Sequence, residues 1–273
     1  MTRSQTSNSC THHLMTSANT TTKSESMRTE LTQTEPTQTE PTRLDSYDVA
    51  VVGAGPAGCA AGVFCARADL ETVVLSNGRS TLTKCAYVEN YLGFPAGIEP
   101  RTLLAFIRDH AREAGCTLRE GTVETARQSD DTFELVVDGT SVVADAVIAT
   151  SWADSDYLQD LDVSTEPEEP GPVDIVLADA DGRTDVDGVY AAGRVRSTHH
   201  QALVAAGDGA RVALTMIGET VPEFYNDWVA PEGYYASHDR EIPVGVEEIS
   251  HEERRNRAVR GRERLLEHLE SGG

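Results

Sequence analysis

"YDVAVVGAGPAGCAAG", Tyr47–Gly62, reads as a strand, a glycine turn and the start of a helix. Gly53, Gly55 and Gly58 form G-x-G-x-x-G between the two elements. Gly53 permits the tight turn, Gly55 lets the backbone approach a pyrophosphate, and Gly58 lets the helix pack close to the strand. With Ala54, Pro56 and Ala57 completing the turn, the first helical amides face the phosphates of a dinucleotide. A glycine-rich turn in a plain α/β fold is the simpler reading. The expected helix at 56–67 and a second strand, "ETVVL" at 71–75, supply the context that favours the dinucleotide. An acid normally ends that second strand and binds the adenosine ribose. Ser76 stands there instead. It either gives the sugar one hydrogen bond or is only a turn residue before Asn77 and Gly78.

Outward from this unit, strands and helices alternate. "PRTLLAFIRDHAREAG" sets Leu103, Leu104, Ile107 and, more loosely, His110 and Ala111 on one helical face, with Gly115 as a stop. "CTLRE" is a short strand, "TFELVVDGTSVVAD" a hairpin turning at Asp138–Thr140, and "AVIAT" a buried strand. Residues 151–172 are acidic, proline-rich and irregular. "DIVLADADGR" reads as a further hairpin arm, "GVYAAG" as a strand, and 202–217 as a helix. The last helix is capped by Ser250 with Glu253 at the capping-box position, and is expected to dock through Leu265, Leu266 and Leu269. The fold class is therefore α/β, a Rossmann-like parallel sheet with helices and a small antiparallel hairpin layer. Three parts are expected: a disordered polar tail at 1–46, a dinucleotide domain at 47–218, and a C-terminal segment at 219–273. Met15 and Met27 lie within the tail, so a later start codon is an alternative.

The 273 residues carry a net charge of −22. Lys occurs only at Lys23 and Lys84, so Arg supplies nearly all of the 23 basic residues. Such an acidic, lysine-poor chain suits concentrated salt, where self-repulsion is screened, and points to the cytoplasm of a salt-accumulating cell. It argues against nucleic-acid binding, which needs a basic surface. No apolar run is long enough for a membrane span, and no apolar h-region marks a secretory signal. The five cysteines, at 10, 59, 65, 85 and 116, have neither C-x-x-C nor metal-ligand spacing, and no metal site is expected.

"VVGAGPAGCAAGVFCAR", "YVENYLGFP" at 87–95, "DAVIAT" at 145–150 and "TDVDGVYAAG" at 184–193 occur in one order. In that combination, over about Tyr47 to Glu219, the chain resembles the FAD domain of the thioredoxin reductase family of pyridine-nucleotide disulfide oxidoreductases. The resemblance implies FAD as cofactor, with the first motif on its pyrophosphate, Asn90 of the second near the flavin, Thr150 of the third as a further cofactor-binding residue, and the last motif along the ribityl chain. A thiazole-synthase-like enzyme is a further reading, since those are also single-domain dinucleotide binders of similar length, but the second and last motifs favour the reductase branch.

The chain also departs from that pattern. Only the 33 residues 151–183 separate Thr150 from Thr184, where the family inserts an NADPH domain with a redox C-x-x-C, and such a domain needs on the order of 100 residues. Gly193 is followed by Arg194, where the family has an Asp that accepts ribityl hydroxyls; Arg is a donor only and would reach the pyrophosphate instead. Arg79–Thr81 replaces a glycine-rich stretch, and Ser151 replaces a glycine.

Cys85 is the candidate catalytic thiol. It is expected either to face the flavin, with Lys84 depressing its pKa, or to be a small buried residue. Cys59, Cys65 and Cys116 read as packing residues. Gln201 and Ala202 open the last family helix, where amides would stabilise a reduced flavin. His200 is either a proton relay or a polar neighbour. Asp208 and Arg211 have the spacing of a surface ion pair. "PEFYNDWVAPEGYY", 222–235, reads as a lid over the cofactor edge, a dimer contact or an anchor for the tail. The functional expectation is an FAD oxidoreductase reduced by a protein donor such as a ferredoxin, with a thioredoxin-like partner and a homodimer as further expectations. The alternative is a non-catalytic dinucleotide-binding descendant that acts through protein partners.

Overall fold

The run Val49–Val52 is buried on both sides, so it can only be a central strand. The computed structural model describes residues 45–152, 154–167 and 173–271. This run forms the second half of β1 (Asp45–Val52). There follow α1 (Pro56–Arg67), β2 (Thr72–Ser76), α2 (Pro100–Glu113), β3 (Thr117–Glu120), β4 (Val123–Ser129), β5 (Thr132–Val137) and β6 (Thr140–Ala149). Then come β7 (Thr165–Pro167), β8 (Asp174–Val176), β9 (Val189–Ala191), α3 (Ala202–Thr220), β10 (Trp228–Pro231), β11 (Val246–Ile249) and α4 (His251–Ser271).

The main sheet has the order β3-β2-β1-β6-β5-β4, with β9 also on β6. Strands β3, β2, β1, β6 and β9 run parallel, while β4 and β5 are antiparallel additions. The length of β6 makes the join: residues 140–144 pair with β5, and 147–149 pair with β9. Along β1 the side chains alternate. Val49 and Val51 pack with Cys59, Val63, Met216 and Ile217 beneath α1 and α3. Ala50 and Val52 pack on the other face with Phe133, Leu135, Tyr157 and Leu158. Helices α1 and α3 meet so closely that a Cβ on Gly209 would lie 2.0 Å from the Ala57 carbonyl oxygen.

The Rossmann-like sheet and hairpin layer thus follow the sequence reading, with differences at the margins. β1 starts at Asp45, within the segment expected to be polar tail; residues 1–44, and with them Cys10, lie outside the described residues. β4 was not foreseen, because Val123–Ser129 is mostly polar; it is held by pairing with β5, and only Ala126 is fully buried. The stretch expected to be irregular holds a 3₁₀ turn, Asp156–Leu161, and β7, which pairs with β8. Its residues 153 and 168–172 lie outside the described set. His110 points to solvent, while Leu103, Leu104 and Ala111 are buried as the periodicity requires.

One expectation for the C-terminal segment is corrected. Leu265, Leu266 and Leu269 of α4 do not dock; each is about half exposed. The helix is held by charge and a ring contact. Arg257 binds Glu247 and Glu253, Arg264 binds Glu113, and the His268 ring lies 4.7 Å from that of Phe106. Its Ser250 cap is as expected, with the Glu253 amide donating to Oγ at 3.1 Å. The aromatic segment is an anchor. Asp227 accepts both Nε and Nη2 of Arg67 at 2.6 Å, at the end of α1, and Trp228, Tyr234 and Tyr235 stack edge-to-face on one another.

Candidate functional site

The glycine turn sits where β1 ends. Gly53 has φ +116, and a Cβ there would lie 2.8 Å from the Thr150 carbonyl oxygen. Gly58 is tighter: its Cβ would fall 1.8 Å from the Gly53 oxygen. The Thr150 hydroxyl locks the turn by donating to the carbonyls of Val52 (2.9 Å) and Gly53 (3.0 Å). Gly55 differs from both, since a Cβ there would meet no protein atom closer than Ser80 Oγ at 3.7 Å. The space beside it opens toward the cavity that Gly55 lines. No side chain caps the N-terminus of α1 and no acid stands in its first turn, so the helix end is free to face an anion.

The turn opens into a cavity of about 740 Å³, within the range of small-molecule and cofactor sites. It crosses the C-terminal ends of β2, β1 and β6, which is where open α/β sheets bind ligands. Ser76 and Gly121–Val123 line one end, Gly53–Ala57 the middle, and Thr150–Trp152, Arg194 and Gln201 the other. In a chain of net charge −22, Arg79, Lys84 and Arg194 line this cavity against one carboxylate among the described residues, that of Asp154. The excess of cations fits a phosphate-bearing ligand.

Of the residues singled out in the sequence, Gly53, Ala54, Gly55, Pro56, Ala57, Ser76, Cys85, Thr150, Arg194, Gln201 and Ala202 line the cavity. Gly58, Asn90 and Gly193 do not. Gly58 packs against the turn from below. Asn90 stands back from the wall and donates to Gln201 Oε1 at 2.6 Å, which ties the 87–95 loop to the start of α3. Ser76 lines the wall and also makes the turn, accepting the Gly78 amide at 3.1 Å. His199 and His200 both line the cavity. The aromatic stretch 222–235 contributes nothing to it, so the lid expectation is corrected.

Cys85 is exposed at the rim and is not a buried packing residue. The Lys84 ammonium lies 5.6 Å from the centroid of the Trp152 ring. Cys59, Cys65 and Cys116 are buried. Burial pushes the Cys59 thiol up to about 12 and the Cys116 thiol to about 11, and raises Cys65 further. These three are protonated and inert at neutral pH.

Three supporting residues were missed. Asp208 is no surface partner: its side chain is 10% exposed and accepts the Gly193 amide at 2.7 Å as well as binding Arg211. Its i,i+3 neighbour gave it the look of a helix surface pair. Arg108 of α2 braces the turn, donating from Nε to the Ala54 carbonyl at 3.0 Å. Trp152 lines the cavity in a left-handed backbone conformation, φ +66. No local signal marked either residue.

Residues 48–89 match the family described as FAD binding domain. Thioredoxin reductase of Aquifex aeolicus is 34% identical over 110 residues, which cover 39% of this chain and 34% of that protein. Thioredoxin reductase 2 of Arabidopsis thaliana is 31% identical over 112 residues, 38% of this chain and 29% of that protein. The chain thus spans about a third of the length of these curated relatives. Among solved structures, a thioredoxin reductase from Gloeobacter violaceus superposes with a TM-score of 0.56 at 18% identity, covering 64% of this chain and 95% of that one. The Lactococcus lactis thioredoxin reductase gives 0.57 at 15% identity, covering 64% and 99%. Over the fingerprint the chain is similar in sequence to thioredoxin reductases, and its fold is similar to theirs. The matched residues 48–89 hold the strand, the glycine turn, α1 and β2, and the cofactor they indicate is FAD.

Proposed function

We propose that the chain is an FAD-dependent oxidoreductase that receives electrons from a protein donor such as a ferredoxin and passes them to a thioredoxin-like redox protein. The observation that carries this reading is the cavity over β2, β1 and β6, with Gly55 open to it and cations along its wall. The residues fit the cofactor. The bare N-terminus of α1 and the amides after Gly55 suit a pyrophosphate, and Ser76 and Gly121–Val123 suit the adenosine end.

FAD, when bound, supplies one- and two-electron redox chemistry. The protein's part is to hold and tune it. Gly53, Gly55 and Thr150 shape the turn, and Gln201 and Ala202 bring the start of α3 to the cavity, where helix amides favour negative charge. Arg194 adds a cation beside them. Cys85 at the rim is the candidate thiol for exchange with a partner disulfide, with the electron pair passing to that disulfide as the thiolate bonds to one sulfur and releases the other.

Residues 47–218 serve as the cofactor domain and 219–273 as an attached brace. The likeness to thioredoxin reductases supports the redox-partner class, and a homodimer is part of the same proposal. The acid-rich composition supports a salt-filled cytoplasm, and no described helix is long and apolar enough to cross a membrane. A second reading, a non-catalytic FAD binder acting through partners, is favoured by Arg194, which cannot accept a ribityl hydroxyl.

The test is to incubate the chain with FAD in multimolar salt, desalt it into the same buffer and record the visible spectrum. Retained flavin that a reduced ferredoxin bleaches, and NADPH does not, is the expected result. Retained flavin that no donor bleaches favours the second reading, and a colourless folded protein overturns both.

A further inference from the structure

Among the described residues, Trp152 is the one member of the cavity wall that holds a positive φ without being glycine. A bulky side chain at φ +66 is disfavoured and persists only where the surroundings impose it. Here the imposing contacts are visible. Next to it, the Ser151 hydroxyl donates to the Asp154 carbonyl and pairs with the Tyr157 hydroxyl at 3.2 Å, which pins the turn. The indole lies 5.9 Å from the His200 ring, and the Lys84 ammonium sits over it. These three side chains come from three separate connections: β2 to α2, β6 to β7, and β9 to α3. All three line the cavity, and Trp152 is only partly buried, so ring surface is left open to it.

Their position along the cavity gives the arrangement a meaning. The glycine turn fixes the pyrophosphate over β1, and the end of β2 is the adenosine side of such a site. The other half of a dinucleotide must then extend over β6 and β9, where Trp152 and His200 stand. An aromatic face flanked by a lysine and a histidine suits a planar, electron-poor ring that becomes anionic on reduction.

We propose that Trp152 is the surface on which the isoalloxazine ring of FAD stacks, with Lys84 and His200 flanking it. The inference rests on the FAD reading above and adds a residue of this chain to it. Stacking gives the ring a hold of its own at the end of the cavity where Arg194 offers no acceptor for the sugar chain.

A tryptophan in contact with a flavin quenches the flavin's emission, so the fluorescence of bound FAD reports the contact directly. The chain has two tryptophans, and Trp228 lies in β10 away from the cavity. The experiment compares wild type, Trp152→Phe and Trp228→Phe, each loaded with FAD and checked for stoichiometry by visible absorbance. Emission per bound flavin is expected to rise severalfold in Trp152→Phe alone, and Trp152→Ala is expected to weaken FAD binding by about tenfold. Unchanged emission in Trp152→Phe, or an equal rise in both Phe variants, overturns the stacking while leaving the FAD reading intact. Absence of bound flavin in the wild type overturns the FAD reading and the stacking with it.

Discussion

The carboxylate of Asp208, on the inner side of α3, accepts the backbone amide of Gly193 at 2.7 Å. Gly193 stands in the left-handed region at φ +74, with its Cβ position 2.8 Å from that of Ala57. A helix side chain thereby fixes the turn that presents Arg194 to the cavity. Asp208→Ala is expected to cost about 2–3 kcal/mol, the range for a hydrogen bond to a charged group whose partner is left in the interior. Denaturant melts would read that loss. FAD affinity should fall in the same variant, because the Arg194 turn is no longer tied to α3.

Two glycines of the same motif should fail in different ways. Gly58→Ala would drive a methyl group into the Gly53 carbonyl, a backbone atom that cannot yield, and should cost about 3 kcal/mol or more. Gly55→Ala makes only an ordinary contact, with Ser80 Oγ at 3.7 Å, and should fold with wild-type stability, yet lose FAD, since its methyl group enters the space assigned to the ligand. Thermal melts beside FAD titrations separate the two. An alanine at 55 that binds FAD normally would remove the pyrophosphate from this turn.

Alkylation should distinguish the thiols. At pH 8 iodoacetamide is expected to modify Cys85, which is exposed, and to spare Cys59, Cys65 and Cys116. Burial raises the pKa of all three, so their thiolate fraction remains negligible until well above that pH. Peptide mapping by mass spectrometry, with Cys85→Ser as the control, is the measurement. Added FAD should slow the reaction at Cys85, because that residue borders the cavity.

The attachment of α4 should be acid-sensitive. Hydrogen bonds from Arg257 hold the carboxyls of Glu247 and Glu253 below the ordinary glutamate value of 4.5. A depressed carboxylate pKa contributes stability that is present above the unfolded value and is lost as pH falls through the folded one. Hydrogen exchange of the α4 amides should therefore be flat from neutrality to about pH 5 and, corrected for the intrinsic rate, accelerate below 4.5. These pairs are exposed, so added salt should loosen the helix in the same direction. Retained protection at pH 3 would mean that the His268–Phe106 contact alone secures it.

The sequence by itself determined the strand–turn–helix unit, the parallel sheet and the glycine turn to which the dinucleotide is assigned. Each of these is written in local backbone demands: a positive φ at Gly53, no room for a Cβ at Gly58, and apolar runs that must be buried. Local signals misled where the partner lay far along the chain. Asp208 looked like half of an exposed pair because Arg211 is its near neighbour, whereas Gly193 reaches it only once α3 folds back beside β9. The leucines of α4 looked like a docking stripe, but the surface that α4 meets on α2 offers Glu113, Asp109 and Phe106, so charge and one ring contact made the attachment. Trp152 carried no signal at all. Its place between Lys84 and His200 exists only because three loops converge at the ends of β2, β6 and β9, and convergence of distant segments is a property of the packed sheet that no window of sequence contains.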